Sequence, residues 1–253
     1  MFKKTFQNMK DKFVLLPVAT DIIFILLFGF VFEFIRNRVA VELQNIVKII
    51  GSSSIEIAPG IFSYSTLIEN LKQMPGFTGS FNAIIVNIIL MFILMFILWV
   101  SLESVSWWTA YKLNKIKIKF NDFLKKFFLK SIIYFVIALV TMFAVMRVAL
   151  GITLKGDIVA GEGIFILFWI ILFAIFVFLF VSYSRIDKKF NIKNWKVLIL
   201  GVVGFLILIG LDKIAKLIAG WNYILMLIFG LVIILPYLTY FRMYLINHEN
   251  KKS

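Results

Sequence analysis

The sequence predicts an all-α fold: a polytopic transmembrane bundle of six spans, with amphipathic interfacial helices beside them. Three observations carry that prediction. Of the 253 residues, 62% are hydrophobic and 16% charged, and the mean hydropathy is +1.00, too apolar for a chain that must keep a polar surface in water. The apolar residues fall into six separate runs, each about long enough to cross ~30 Å of hydrocarbon. The 27 Lys and Arg residues flank these runs unevenly, as basic residues do around membrane spans.

The first span covers residues 13–35, after Lys3, Lys4, Lys10 and Lys12. A basic flank before an apolar run is also the pattern of a signal peptide. This run is too long, however, and Ile35-Arg-Asn-Arg-Val-Ala-Val41 offers no small-x-small cleavage site, so it reads as an uncleaved signal anchor. Residues 36–82 form an external amphipathic excursion. Val39, Leu43, Ile46, Val47 and Ile50 recur at helical spacing between Arg38, Glu42, Asn45 and Lys48, so a helix continues or bends from the first span. Thr66-Leu-Ile-Glu69 has capping-box form and opens a second short helix, with Leu67, Ile68, Leu71 and Met74 on one side and Pro75-Gly76 at its end. The excursion is expected to be two helices lying on the outer membrane surface.

The second span covers residues 83–105. Trp99, Trp107, Trp108 and Tyr111 read as an aromatic belt at the membrane interface. Residues 112–130 form a basic cytoplasmic interfacial helix with Asn121 or Asp122 as N-cap, and Phe123, Phe127 and Ser131 opposed to Lys125, Lys126 and Lys130. Its lysines, Lys112, Lys115, Lys117, Lys119, Lys125, Lys126 and Lys130, are candidates for docking anionic lipid or an acidic partner.

The third and fourth spans cover residues 131–150 and 163–184. The fifth, 197–218, has a 15-residue apolar core ending at Leu211, beyond which Lys213 and Lys216 are expected to reach for the headgroups. Gly201, Gly204 and Gly210 permit close helix contact there. The sixth, 223–245, contains Pro236, which predicts a kink.

Orientation follows from the basic residues. Nineteen lie at the amino terminus, between spans two and three, between spans four and five, and at the carboxyl end, against eight on the opposite side. Cytoplasmic loops accumulate Lys and Arg, so both termini are expected in the cytoplasm of a cell-membrane protein.

Counting also limits the chemistry. The chain has no cysteine and a single histidine, His248 in the polar tail. That removes thiolate nucleophiles, Cys-containing metal sites and any multi-histidine site, and no phosphate-cradling glycine loop is present. No cofactor is expected. A net charge of +14 raises nucleic acid as a partner, but these lysines flank spans and form no separate basic domain, so membrane lipids with anionic headgroups are the expected partners.

Ionisable residues within spans are the default functional candidates. Asp21 lies eight residues into the first span and Glu103 nine residues before Lys112, so the two carboxylates sit at similar depth and could bind a cation or relay a proton. Glu33 and Arg147, near the outer ends of the first and third spans, form a candidate helix–helix ion pair. From Gly163 to Val181 the only polar side-chain group is the indole of Trp169, and no span carries a continuous polar stripe, which argues against a water-filled channel.

The basic start, Val14-Leu-Leu-Pro-Val-Ala-Thr-Asp-Ile-Ile-Phe24, and a second span running through Trp107-Trp-Thr-Ala-Tyr111 into a basic helix give a layout that covers most of the chain. This layout resembles uncharacterised prokaryotic six-helix membrane families, similar to the membrane domain attached to some glycerophosphodiester phosphodiesterases. The resemblance implies a non-catalytic membrane domain and carries over no site residues. A composition rich in Lys, Ile, Phe and Asn suits an AT-rich prokaryote. The expected function is that of a non-enzymatic multi-pass scaffold or lipid-interacting component. The alternative is the permease subunit of an ABC-type exporter, with residues 112–130 as its coupling helix.

Overall fold

The computed structural model describes residues 5, 7–9, 11–52, 72–153, 158–186 and 195–250. Among them there is no strand, and six helical stretches are long and apolar enough to cross a membrane, as the hydrophobic runs predict. The protein is a multi-pass membrane bundle.

Helix α1 (Leu15–Ser52) is a single helix of 38 residues, about 57 Å at 1.5 Å per residue. Of the two readings for the segment after residue 35, continuation or bending, the structure has continuation: 36–52 extend the first span and form no separate helix on the membrane surface. Asp11 opens the chain into it: its carboxylate accepts the Phe13 N–H at 3.0 Å over a 3-10 turn, Lys12–Val14. Pro17 sits in the first turn, where a backbone N–H has no helical partner in any case. The capping-box helix predicted from Thr66 lies outside the described residues.

Helix α2 (Phe77–Leu98) starts six residues before the predicted span, directly after Gly76, whose φ of +84° makes the turn. It runs through a π-helical segment, Trp99–Glu103, into α3 (Ser104–Leu113). Helix α3 ends with Lys115 in the left-handed region (φ 62°), the Ile116 N–H bonded to Tyr111 O (3.1 Å) and the Lys115 N–H to Lys112 O (2.8 Å). These bonds close a Schellman motif in which a lysine holds the position glycine prefers.

Helix α4 (Phe120–Thr153) merges the basic segment and the third span into one helix. It begins before Asn121 and Asp122, so Asp122 lies in its first turn, where a negative charge meets the positive end of the helix dipole. Helix α5 (Ile158–Tyr183) and α6 (Trp195–Trp221) follow. Asn222 then turns the chain and caps α7 (Tyr223–Phe229), its side-chain oxygen accepting from the N–H groups of Ile224 (2.8 Å) and Leu225 (3.2 Å). The kink predicted at Pro236 takes the form of a π-helical segment, Gly230–Ile234, before α8 (Leu235–Asn250). A proline removes one ladder donor and crowds the carbonyl four residues back, and a widened turn relieves both effects.

The chain divides into two compact units. The first comprises 1–25, 99–144 and 166–253. Its core is aromatic: Trp107 packs edge-on to Phe180 (4.8 Å between centroids), Phe127 stacks on Tyr183 (4.1 Å), and Phe123 meets Tyr111 (5.5 Å). Gly201 lies so close to α5 that a Cβ there would stand 2.7 Å from Val181 Cγ2, and a Cβ at Gly204 would overlap the Phe241 ring. Gly210, predicted to serve the same purpose, has open space around it. Lys216, expected to reach for headgroups, pairs with Asp212 one turn back at 2.6 Å on an exposed face.

The second unit comprises 26–98 and 145–165. Here Ile35 and Phe77 are buried, and Glu33 pairs with Arg36 on its own helix at 2.6 Å. The predicted Glu33–Arg147 pair does not form. Both side chains are exposed, and a partner three residues along the same helix is within reach without any helix–helix approach.

Candidate functional site

The first unit encloses an ion triad. Arg242, on α8, is 0% exposed, and Asp21 and Glu103 are nearly as buried. Arg242 Nη1 donates to Asp21 Oδ2 at 2.7 Å, and Nη2 donates to both oxygens of Glu103 at 2.8 and 3.0 Å. The remaining Asp21 oxygen, Oδ1, accepts from Ser106 Oγ at 2.8 Å. Ser106 Oγ in turn lies 2.5 Å from the Thr20 hydroxyl, which also reaches Pro17 O at 2.9 Å. All four carboxylate oxygens therefore have donors, as the cost of burying charge in an apolar interior demands.

Each member is placed by a local feature. Asp21 and Thr20 stand in the second turn of α1. Glu103 is the last residue of the π-helical segment, and a π-bulge shifts the facing of every side chain beyond it. Ser106 follows one turn later on α3, so Glu103 and Ser106 share a helix face. Arg242 lies one turn after Leu238 on α8, its guanidinium 5.8 Å from the centre of the Phe180 ring. One guanidinium serves two carboxylates, so the fully ionised triad has a formal charge of −1.

A second polar cluster lies at the end of α5. Trp99 Nε1 donates to the Tyr183 hydroxyl at 3.0 Å, and that hydroxyl is 2.6 Å from Ser131 Oγ. Tyr111 donates to Tyr183 O at 2.9 Å and accepts the Ile186 N–H at 3.0 Å. The aromatic residues predicted as an interface belt are thus largely internal. Trp107 is 0% and Tyr111 3% exposed, because the spacing that stripes one helix face is satisfied equally well by a core.

The basic segment is also used differently from the prediction. Phe123 and Phe127, expected to face lipid, are both 0% exposed, so this face of α4 docks on the protein's own core. Lys130 caps the end of α5, donating to Ser182 O (2.8 Å) and Arg185 O (2.5 Å), and is not free for docking. Lys112, Lys115, Lys117, Lys119, Lys125 and Lys126 are exposed, with Lys112 Nζ 3.9 Å from the centre of the Trp108 ring.

Of the intramembrane candidates, Asp21 and Glu103 are brought together, and the residue that joins them is Arg242, which lies within the sixth predicted span, 223–245, but counts in the sequence only among the basic residues of the carboxyl end and is not singled out there as a site residue. Arg242 stands beside Phe241 at the end of the apolar run, but Met243, Leu245 and Ile246 continue the apolar pattern beyond it. A lone arginine flanked on both sides by apolar residues was the available signal. The chain matches no protein-family model, no curated protein sequence and no solved structure.

Proposed function

We propose that this protein is a non-enzymatic, lipid-interacting structural component of the cell membrane, with both termini in the cytoplasm. The observation that carries this reading is the state of the intramembrane carboxylates. Every oxygen of Asp21 and Glu103 is engaged by Arg242 or Ser106, so the charge within these spans joins three helices, which supports a structural role. Orientation is supported by what gathers at one end of the first unit. Asn247 donates to Thr5 (3.0 Å), Asn114 donates to Met243 O (3.1 Å), and Arg185 pairs with Glu249. Thr5, the end of α8 and the starts of two basic connections thus share one end, and the excess of lysine around it supports a cytoplasmic side.

The test is purification of the full chain in mild detergent, with quantitation of co-purifying lipids and proteins, for wild type and for Lys125→Glu/Lys126→Glu. The expected result is enrichment of anionic over zwitterionic lipid, with no protein at stoichiometric ratio. Stoichiometric recovery of a nucleotide-binding ATPase, lost in the charge reversal, would replace this reading with that of an ABC-type exporter permease whose coupling segment is 112–130.

A further inference from the structure

Three adjoining hollows run along the basic end of the first unit. One, of about 450 Å³, is walled by Lys12, Phe13, Leu15 and Leu16. The next, of about 330 Å³, shares Phe13 with the first and adds Asn8, Asp11, Leu113, Lys112 and Lys115. The third, of about 530 Å³, shares Lys112 and Lys115 and continues along Lys117 and Lys119, with Ile116 and Ile118 between them. All three hollows therefore have apolar walls, and lysines are concentrated in the second and third, with Lys12 alone in the first.

The basic wall is held in place. Burial alternates along 115–119, with the lysines exposed and Ile116 and Ile118 packed against the core, as in an extended strand. Trp108 Nε1 donates to Ile118 O at 3.0 Å, and the same indole lies beneath the Lys112 ammonium. Asn114 is pinned to Met243 O, and the Schellman motif fixes the turn at Lys115. At the other end, Phe13, Leu15 and Leu16 are exposed apolar side chains at the start of the first span.

We propose that this cleft binds one anionic phospholipid. The acyl chain lies along Phe13, Leu15 and Leu16, the phosphate lies between Lys112 and Lys115, and Lys117 and Lys119 face any further negative charge on the headgroup. The joining of apolar walls to a cluster of lysines selects this ligand: a free phosphate gains nothing from the apolar walls, and a zwitterionic lipid gains little from the lysines. Among the described residues Asp11 is the one carboxylate in the lining, against Lys12, Lys112, Lys115, Lys117 and Lys119, and its Oδ1 accepts the Phe13 N–H. The inference rests on the lipid-interacting reading above and assigns it a site.

Native mass spectrometry of the full chain in neutral detergent tests the proposal. The probes are diacyl phosphatidylglycerol, diacyl phosphatidylcholine with the same chains, and glycerol phosphate as the headgroup without chains. Wild type is expected to prefer phosphatidylglycerol to phosphatidylcholine and to bind glycerol phosphate far more weakly than either. Lys112→Ala/Lys115→Ala is expected to lose about 25-fold in phosphatidylglycerol affinity, about fivefold per lysine, while Lys112→Arg/Lys115→Arg retains it. Leu15→Ser/Leu16→Ser is expected to weaken both lipids alike, and Lys125→Ala/Lys126→Ala, outside the cleft, to leave binding as in wild type. Equal losses in the two lysine-to-alanine pairs would mean diffuse attraction and overturn the site while leaving the lipid-interacting function standing. Glycerol phosphate binding as tightly as phosphatidylglycerol would overturn the amphiphile assignment. Absence of any phosphatidylglycerol preference in wild type would overturn the function as well as the site.

Discussion

Arg242 and Asp21 stand 221 residues apart in the chain and 2.7 Å apart in the fold, both buried. With Glu103 on the same guanidinium, they tie the first, second and sixth spans together through charge. A buried ion pair gains little over an apolar packing of the same volume, but half of one is costly, since the charge left behind has neither water nor partner.

Arg242→Met is therefore expected to destabilise the first unit by about 3–5 kcal/mol. The triple variant Asp21→Asn/Glu103→Gln/Arg242→Met is expected to regain most of that loss, because no uncompensated charge remains. Thermal unfolding in detergent, compared across the single and triple variants, measures both. A triple variant no more stable than the single would show that the helices depend on the ion pairs themselves.

The glycines of α6 separate in the same way. Gly204→Ala forces a methyl group into the Phe241 ring and is expected to cost about 1–3 kcal/mol, the range for overpacking. Phe241→Leu in the same chain is expected to relieve it. Gly210→Ala meets nothing and is expected to stabilise the helix by up to about 1 kcal/mol. Melting temperatures of the three variants in one detergent check the ordering.

Lys115 holds a left-handed conformation that costs a side-chain-bearing residue about 1–2 kcal/mol. Lys115→Gly should raise the unfolding midpoint of protein free of anionic lipid. An unchanged or lowered midpoint would mean that the lysine side chain itself contributes to the fold at this turn.

The absence of cysteine makes topology directly readable, since a single introduced thiol has no background. Ser253→Cys in intact cells is expected to resist a membrane-impermeant maleimide until the cells are opened. Gly220→Cys, beside the exposed Trp221 at the turn between α6 and α7, is expected to react from outside. The reverse pattern would invert the orientation and remove the lysine-rich end from the cytoplasm.

The spans were legible because each is a local property, an apolar run whose length is set by the bilayer. Their ends were less so. Helix α2 begins at Phe77, in a stretch broken by Thr78, Gly79, Ser80 and Asn82, which a hydropathy reading leaves out but the Gly76 turn brings in. The role of an apolar face was ambiguous for a different reason. Phe123, Phe127, Trp107 and Tyr111 occur at the spacing that suits an interfacial stripe, and burial against α5 makes them core. Periodicity identifies a face without naming what covers it.

Composition and pattern were sufficient for the membrane class, the six apolar spans and the presence of two costly carboxylates within them, because transfer of each segment out of water depends on that segment alone. The partners of those carboxylates, the docking of the basic helix on its own bundle and the joining of Lys112 and Lys115 to Phe13 in one cleft depended on helices distant in sequence coming together. A charge in a low-dielectric interior is satisfied by whichever donor the packing brings within about 3 Å, and no local pattern around Asp21 names Arg242 as that donor.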